Sequence, residues 1–363
     1  MDRQDVFSLQ RTAAGLRYEK WLENLRNASP EQVSKAKAGL FNGCVHKSSI
    51  GTTDVYSNKT MQSMSVQYAN DEYIGDRLMP MINAGSEPTG VYFVYDKRSR
   101  LAYPDDALGE RGEAKEIDDA RTTASFACKD YGFSNSISKK AVDAEDAPLD
   151  EMTDLTESIN EGLAFKRENR QATILCTSSN FASSNTAAIG AASRWDSAGG
   201  GNPVKDIQTA NAACWNGRGP GAKWGYCSRG VWDVLARHPM ILDLFKYNGS
   251  SPGLATPDML AKWFGLAGIL VGDARKDTAN VGQTASYSRI WSDVFGIVRV
   301  AARPSIRNAA FGYTFRVDGK PFATQWFDGR PGLKGRWFAK VAVSDDYKVV
   351  ANDTGYLITT PIG

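Results

Sequence analysis

Apolar and polar positions alternate most clearly between Asn211 and Asp273. Val231, Val234 and Leu235 recur at helical spacing, Leu242 and Phe245 continue the face, and Pro239 stands where a second helix would open. Thr256 then reads as an N-cap, Pro257 as the first helical residue, Asp258 as a first-turn acid and Gly265 as the stop. Leu260, Trp263 and Phe264 supply that helix with an apolar face. The glycine-bounded run Gly268–Gly272 has the continuous apolar text of a buried strand. Together these predict a compact α/β unit.

The flanks are patterned differently. Residues 1 to about 28 have helical character, and Ser29-Pro30-Glu31-Gln32 is a capping box that opens a short helix. From Leu40 to about Asn70 large apolar residues are too few to close a core, so this stretch predicts an extended arm that borrows another surface. Val91–Tyr95 predicts a strand, and the text from Thr122 to Ser138 a returning one. Between them, 14 of the 26 residues from Asp96 to Arg121 are charged, so the tip of this hairpin cannot bury a core of its own. It is either a surface loop or an arm reaching a neighbouring subunit, where mixed-sign charge sets register.

Pro148 to about Leu175 predicts the longest helix, with Met152, Leu155, Ile159 and Leu163 on one face and acids at its start; roughly 25 residues span nearly 40 Å. The Ser/Asn/Ala/Gly-rich text from Cys176 to Gly201 predicts a flexible linker. Pro203–Ile207 leads a helix back into the α/β unit. Beyond Asp273, Ser286–Trp291 and Phe295–Val300 are strand-like. The last sixty residues are strand-rich, with turn chemistry at Val317-Asp318-Gly319 and Phe327-Asp328-Gly329.

Composition narrows the function. A formal net charge of +2 gives no field strong enough to imply a nucleic-acid footprint or a membrane surface. No apolar run reaches transmembrane length, and MDRQDVFSLQRT lacks the apolar core of a signal peptide. Cys44, Cys128, Cys176, Cys214 and Cys227 are odd in number and form no CxxC, which favours free thiols over a disulfide framework or a zinc site. His46 and His238 are the only histidines; His238, beside Pro239, reads as a capping or packing residue. Gly217–Gly221 superficially resembles a phosphate cradle, but Pro220 removes a donor. The pairs Asp105-Asp106, Asp118-Asp119 and Asp345-Asp346 are adjacent, point to opposite faces of a strand and read as solvated charge. No catalytic, cofactor-binding or metal-ligating residue is assigned, and no cofactor is expected.

The segments SRGVWDVLARHPMILDLFKY, TPDMLAKWFGLAGILVGDAR, ASYSRIWSDVFGIVRVA and YKVVANDTGYLI, together with the order arm, charged hairpin, long helix and α/β unit, resemble the major capsid proteins of tailed bacteriophages. That family has the fold named after the Hong Kong 97 phage shell. The resemblance implies an α+β chain with an N-terminal arm over 1–70 and a peripheral domain over 71–201. This domain would hold an E-loop hairpin (about 85–138) and a spine helix (about 148–175). An axial α/β domain would cover 202–300, and 301–363 would supply closing strands to both sheets. It further implies a structural protein, not an enzyme, that forms hexamers and pentamers of an icosahedral shell enclosing double-stranded DNA without sequence-specific binding. Portal, scaffolding and decoration proteins are the implied partners, with no membrane. The place of action would be the virion capsid, after synthesis in the host bacterial cytoplasm. An encapsulin-like nanocompartment shell, or an enzyme whose site is assembled from spatial neighbours, are the alternatives. Inter-subunit contacts are expected at Lys97, Arg98, Arg100, Asp105, Asp106, Glu110, Arg111 and Lys115 of the hairpin, and at Arg218 and Lys223.

Overall fold

The computed structural model describes residues 73–95, 106–107, 121–143, 151–197, 201–215, 220–245, 255–280, 282–303 and 308–363. All belong to one of the two units set by chain contacts, Tyr56–Gly363; the other, Met1–Val55, lies outside the described residues. So do the expected arm over 1–70 and nearly all of the charged tip.

In chain order come α1 (Gly75–Leu78), β1 (Met81–Asn83), β2 (Thr89–Tyr95), β3 (Arg121–Ala127), β4 (Lys129–Ser138), α2 (Lys139–Asp143) and α3 (Glu151–Leu175). Then follow β5 (Thr186–Ala188), α4 (Pro203–Ala213), β6 (Gly221–Ser228), α5 (Arg229–Arg237), α6 (Pro239–Phe245), α7 (Pro257–Phe264), β7 (Gly268–Gly272), β8 (Arg275–Asp277) and β9 (Tyr287–Arg289). The chain closes with β10 (Val294–Ala301), β11 (Gly312–Arg316), β12 (Phe322–Asp328), β13 (Arg336–Val349) and β14 (Gly355–Thr359).

Two five-stranded sheets result. In the first, β13 is central: β4 pairs along one edge, while β11 and then β12 pair in succession along the other, and β1 joins β11 in parallel. The expected turn at Val317-Asp318-Gly319 is therefore no hairpin. It is an outward loop between two strands that run the same way along one edge of β13. Asp318 at φ 53° and Gly319 at φ 64° give it the left-handed backbone such a loop needs. The strand-like text from Gly335 to Asp353 forms the single 14-residue β13.

The second sheet has the order β5-β14-β10-β6-β7; β7, β10 and β14 fall where strands were expected, whereas β6, read from sequence only as loop text around Gly217–Gly221, and β5 were not foreseen. Alternation along the strands sends Cys227, Ile269, Phe295, Ile297 and Ile358 to one face, where they meet α4–α7. Tyr226, Leu270, Val298 and Leu357 go to the other, with Ile74, Leu175 and Trp291. Gly265 ends α7 at φ 70°, as expected. Thr256 precedes it without a side-chain cap bond, and Trp263 is exposed, with Ala261 buried in its place.

In its described residues, 176–197, the expected linker from Cys176 to Gly201 is instead built into the second sheet. Thr186–Ala188 adds to β14 as a parallel strand, and Trp195 is buried against Phe295, its indole donating to Asp206. Three small residues make a weak strand signal; the strand exists because β14 offers an edge.

Candidate assembly surfaces

β2 and β3 pair over their full length as an antiparallel ribbon, Thr89↔Ala127 to Tyr95↔Arg121. The expected hairpin reached Ser138, but β4 leaves the ribbon to pair with β13. The ribbon is rooted on one face of the first sheet. Phe126 stacks on Phe315 at 4.6 Å between ring centroids, Tyr92 lies 5.5 Å from the same ring, and the Ala127 amide donates to the Asp346 carboxylate at 2.9 Å. A Cβ at Gly90 would sit 2.5 Å from Phe126, so glycine is what lets the two strands close around that ring. Alternation then turns Val91 and Phe93 outward, 66% and 45% exposed.

The far end of the same sheet face is also apolar and uncovered. Phe322 and Trp326 are 52% and 40% exposed, and Trp326 stacks on Phe338 at 5.3 Å. β12 and β13 meet in a hairpin whose loop, 329–335, carries Leu333 at full exposure.

The rigid member beneath is α3. Leu155, Ile159 and Leu163 bury one stripe against Ala323, Ala339 and Val341 of the first sheet. Past Lys166 the buried stripe becomes Glu168, Gln171, Ala172 and Leu175, roughly half a turn around the helix at 3.6 residues per turn. Its first half thus lies on one sheet and its second on the other, and its 25 residues reach about 37 Å. The second half is fastened by polar contacts. Tyr226 Oη donates to the Leu175 carbonyl at 2.7 Å, and the Tyr226 ring passes where a Cβ on Gly296 would stand. Glu168 accepts from Ile74 N at 3.0 Å, Gly75 N at 2.9 Å and Trp291 Nε1 at 2.7 Å. Gln171 donates to Asp76 and to Thr314 of β11. Burial raises the Glu168 carboxyl above its ordinary range, with the three N–H donors offsetting part of that shift.

No family model matches the chain. A curated relative, the major capsid protein of Pseudomonas phage JBD67, is 22% identical over 310 residues, which cover 83% of this chain and 96% of that one. Among solved structures, a phage-related protein from Bordetella bronchiseptica RB50 aligns with TM-score 0.68 at 20% identity, covering 84% of this chain and 97% of that one. The capsid of cyanophage P-SCSP1u aligns with TM-score 0.50 at 11% identity, covering 77% and 86%. This chain has the Hong Kong 97-like capsid fold. α3 and the β2–β3 ribbon lie in the stretches where the resemblance implies a spine helix and an E-loop hairpin.

Of the ten expected contact residues of this capsid-fold chain, eight lie outside the described residues: Lys97, Arg98, Arg100, Asp105, Glu110, Arg111, Lys115 and Arg218. Asp106 is exposed. Lys223 stands in β6, directly opposite Arg299, and its Nζ donates to the Asn211 carbonyl at 2.6 Å. Burial, with Arg299 beside it, lowers the Lys223 ammonium below its ordinary value. Asp345 and Asp346 do face opposite sides, but they are not solvated charge. Asp345 is buried and takes a two-pronged ion pair from Arg316, both bonds at 2.7 Å, while Asp346 holds the ribbon. His238 serves its helix junction through its backbone, its carbonyl accepting from Ile241 and Leu242 at the start of α6. Burial pushes the Cys176 and Cys214 thiols up to about 11 and about 12, which leaves neither as a ready nucleophile. Among the described residues no group of three or more His, Cys, Asp or Glu is placed to hold a metal ion.

The sequence missed Val91, Phe93, Phe322 and Trp326 as surface. A strand's period-two pattern could have flagged Val91 and Phe93, which share a face opposite Tyr92 and Val94.

Proposed function

We propose that this chain is the shell-forming major capsid subunit of a tailed phage, assembling as hexamers and pentamers into an icosahedral particle around double-stranded DNA. The observation that carries the reading is the near end-to-end match to a chain named major capsid protein, on a capsid fold. The geometry supports it. Val91 and Phe93 on the ribbon and Phe322 and Trp326 on the sheet are distinct apolar patches on one chain. Head-to-tail contacts between unlike patches build rings and closed shells. Many such contacts acting together tolerate modest strength in each.

The role is structural, without catalysis. Synthesis in the bacterial cytoplasm and action in the virion follow from it, as do portal, scaffolding and decoration proteins as partners. The phage origin of the matched relative favours a virion shell over a cellular nanocompartment.

Electron microscopy and gel filtration of the purified chain test this: shells or capsomer-sized oligomers are expected. A strictly monomeric species at high concentration would sink the proposal. Deleting Lys97–Asp119 should leave a folded, soluble subunit that forms no shells; intact particles from that deletion would refute the role given to the hairpin.

A further inference from the structure

The loop between β12 and β13 presents an apolar residue on a built support. Gly332 at φ 74° and Gly335 at φ 82° flank Leu333 and Lys334, a conformation in which side chains other than glycine's are strained. A Cβ on Gly335 would meet the Phe327 ring at 2.5 Å, the Lys139 amide donates to the Gly335 carbonyl, and Asp328 Oδ1 accepts from the Arg330 amide. The loop is therefore held from both sides while Leu333 stands at full exposure. Its two charged side chains have one sign: Arg330 and Lys334 are both exposed, with Asp328 at the loop's base holding the Arg330 amide and Asp143 lying 3.6 Å from the Lys334 ammonium.

A complementary surface exists on the same chain. On the first half of α3, Asp154, Glu157 and Glu161 follow one another at i, i+3 and i+7, opposite the buried Leu155–Ile159–Leu163 stripe. None of the three carries an ion pair among the described residues. This stripe stops where Glu168, seven residues further on, is drawn under the second sheet. The acid face is thus confined to the half of the helix that rests on the first sheet.

Resting on the shell reading above, we infer that the basic, leucine-tipped loop of one copy docks on the acidic stripe of α3 in a second copy. Leu333 would supply the desolvated centre and Arg330 and Lys334 the register, a division between apolar anchor and steering charge common at interfaces. The unlike partners, loop on helix, make the contact head-to-tail, and so repeatable around a closed shell.

Charge exchange tests it in the full chain. Arg330→Glu with Lys334→Glu should lower shell yield about tenfold or more near physiological salt, because a modest loss per contact is multiplied over the shell. Adding Glu157→Lys and Glu161→Lys to that variant should restore assembly. None of the four side chains is buried, and a thermal melt checks that each variant folds like the parent. Leu333→Asp, at a side chain with no buried contact, should also block assembly without lowering the melt. A double reversal that assembles like the parent, or a fourfold exchange that assembles no better than the double, would overturn the docking while leaving the shell reading intact. A parent chain that never forms shells overturns both.

Discussion

The second sheet is covered on both faces, by α4–α7 on one side and by α1, the end of α3 and Trp291 on the other. None of its five strands carries an exposed large apolar residue. The first sheet exposes Met81, Phe133, Phe322, Trp326 and Phe327, and the ribbon rooted on it adds Val91 and Phe93. Two explanations compete for this contrast. Either the first sheet is poorly closed, or it is as firmly built as the second and its apolar residues are kept outside for another copy. Scattered exposed apolar residues are ordinary, but Phe322 and Trp326 share the sheet face on which the ribbon is rooted, and with Val91 and Phe93 on that ribbon they mark a contact surface.

The largest effect expected bears on that choice. Arg316 and Asp345 meet in a buried two-pronged pair in the middle of the first sheet, 4% and 0% exposed, and Tyr347 Oη lies 3.3 Å from the same carboxylate. Burial disfavours the Arg316 charge, and the Asp345 carboxylate more than offsets it, so the guanidinium is held above its ordinary range. Removing one partner strands the other charge without water, a loss of about 3–5 kcal/mol. Arg316→Ala should lower the melting temperature of the unassembled subunit more than any surface change in the chain. If it melts like the parent, the first sheet is loose and its exposed residues need no partner.

Next in size is Glu168, which ties α3 to α1 and to Trp291 on the second sheet's side. Glu168→Gln keeps the shape but turns an amide toward the Gly75 N–H, and one unsatisfied buried donor costs about 2 kcal/mol. The raised carboxyl fixes the sign of the pH effect. A carboxyl whose folded value lies above its unfolded one adds stability that is fully present below the ordinary carboxylate range, and that is lost as pH rises through the folded value. The parent should therefore gain on the Gln variant as the solution is acidified into that range. Melting temperatures taken over a pH series decide it: a gap that closes on acidification contradicts this assignment.

Legibility in the sequence follows the same division. Elements governed by local pattern were readable: the helices and strand between Arg229 and Gly272, the apolar stripe Leu155–Ile159–Leu163, and β10 and β14. What distance in sequence controls was not. β5 has three small residues and is a strand only because β14 lies beside it. Glu168 and Gln171 sit in FKRENRQ, text that reads as a solvated helix face until the second sheet arrives on that side. Asp345 looks like half of a surface pair until Arg316, 29 residues away, is brought opposite it. Charge drew the sequence-based contact assignment to the hairpin tip. The tip lies outside the described residues; the apolar surface seen at the ribbon's base was not legible, because exposure there depends on which face of each strand the fold covers.

The smallest effect on folding, and the sharpest separation of the two explanations, is expected at that base. Val91 and Phe93 point away from Phe315 and share their face with Ser125 and Thr123, their direct partners across the ribbon. Replacing both with serine removes only half-exposed side chains and their cross-strand contacts, so the subunit should lose no more than about 1 kcal/mol against the parent. Shell formation is another matter. If these side chains are covered in the particle, each loses the apolar area it would bury, on the order of 25 cal/mol for every Å², and the loss recurs at every copy. The concentration needed for assembly should therefore rise by about tenfold while the melt moves little. A variant that melts early would mean that the ribbon closes over these residues within its own chain. One that assembles at the parental concentration would mean that the ribbon's outer face stays in water even in the shell.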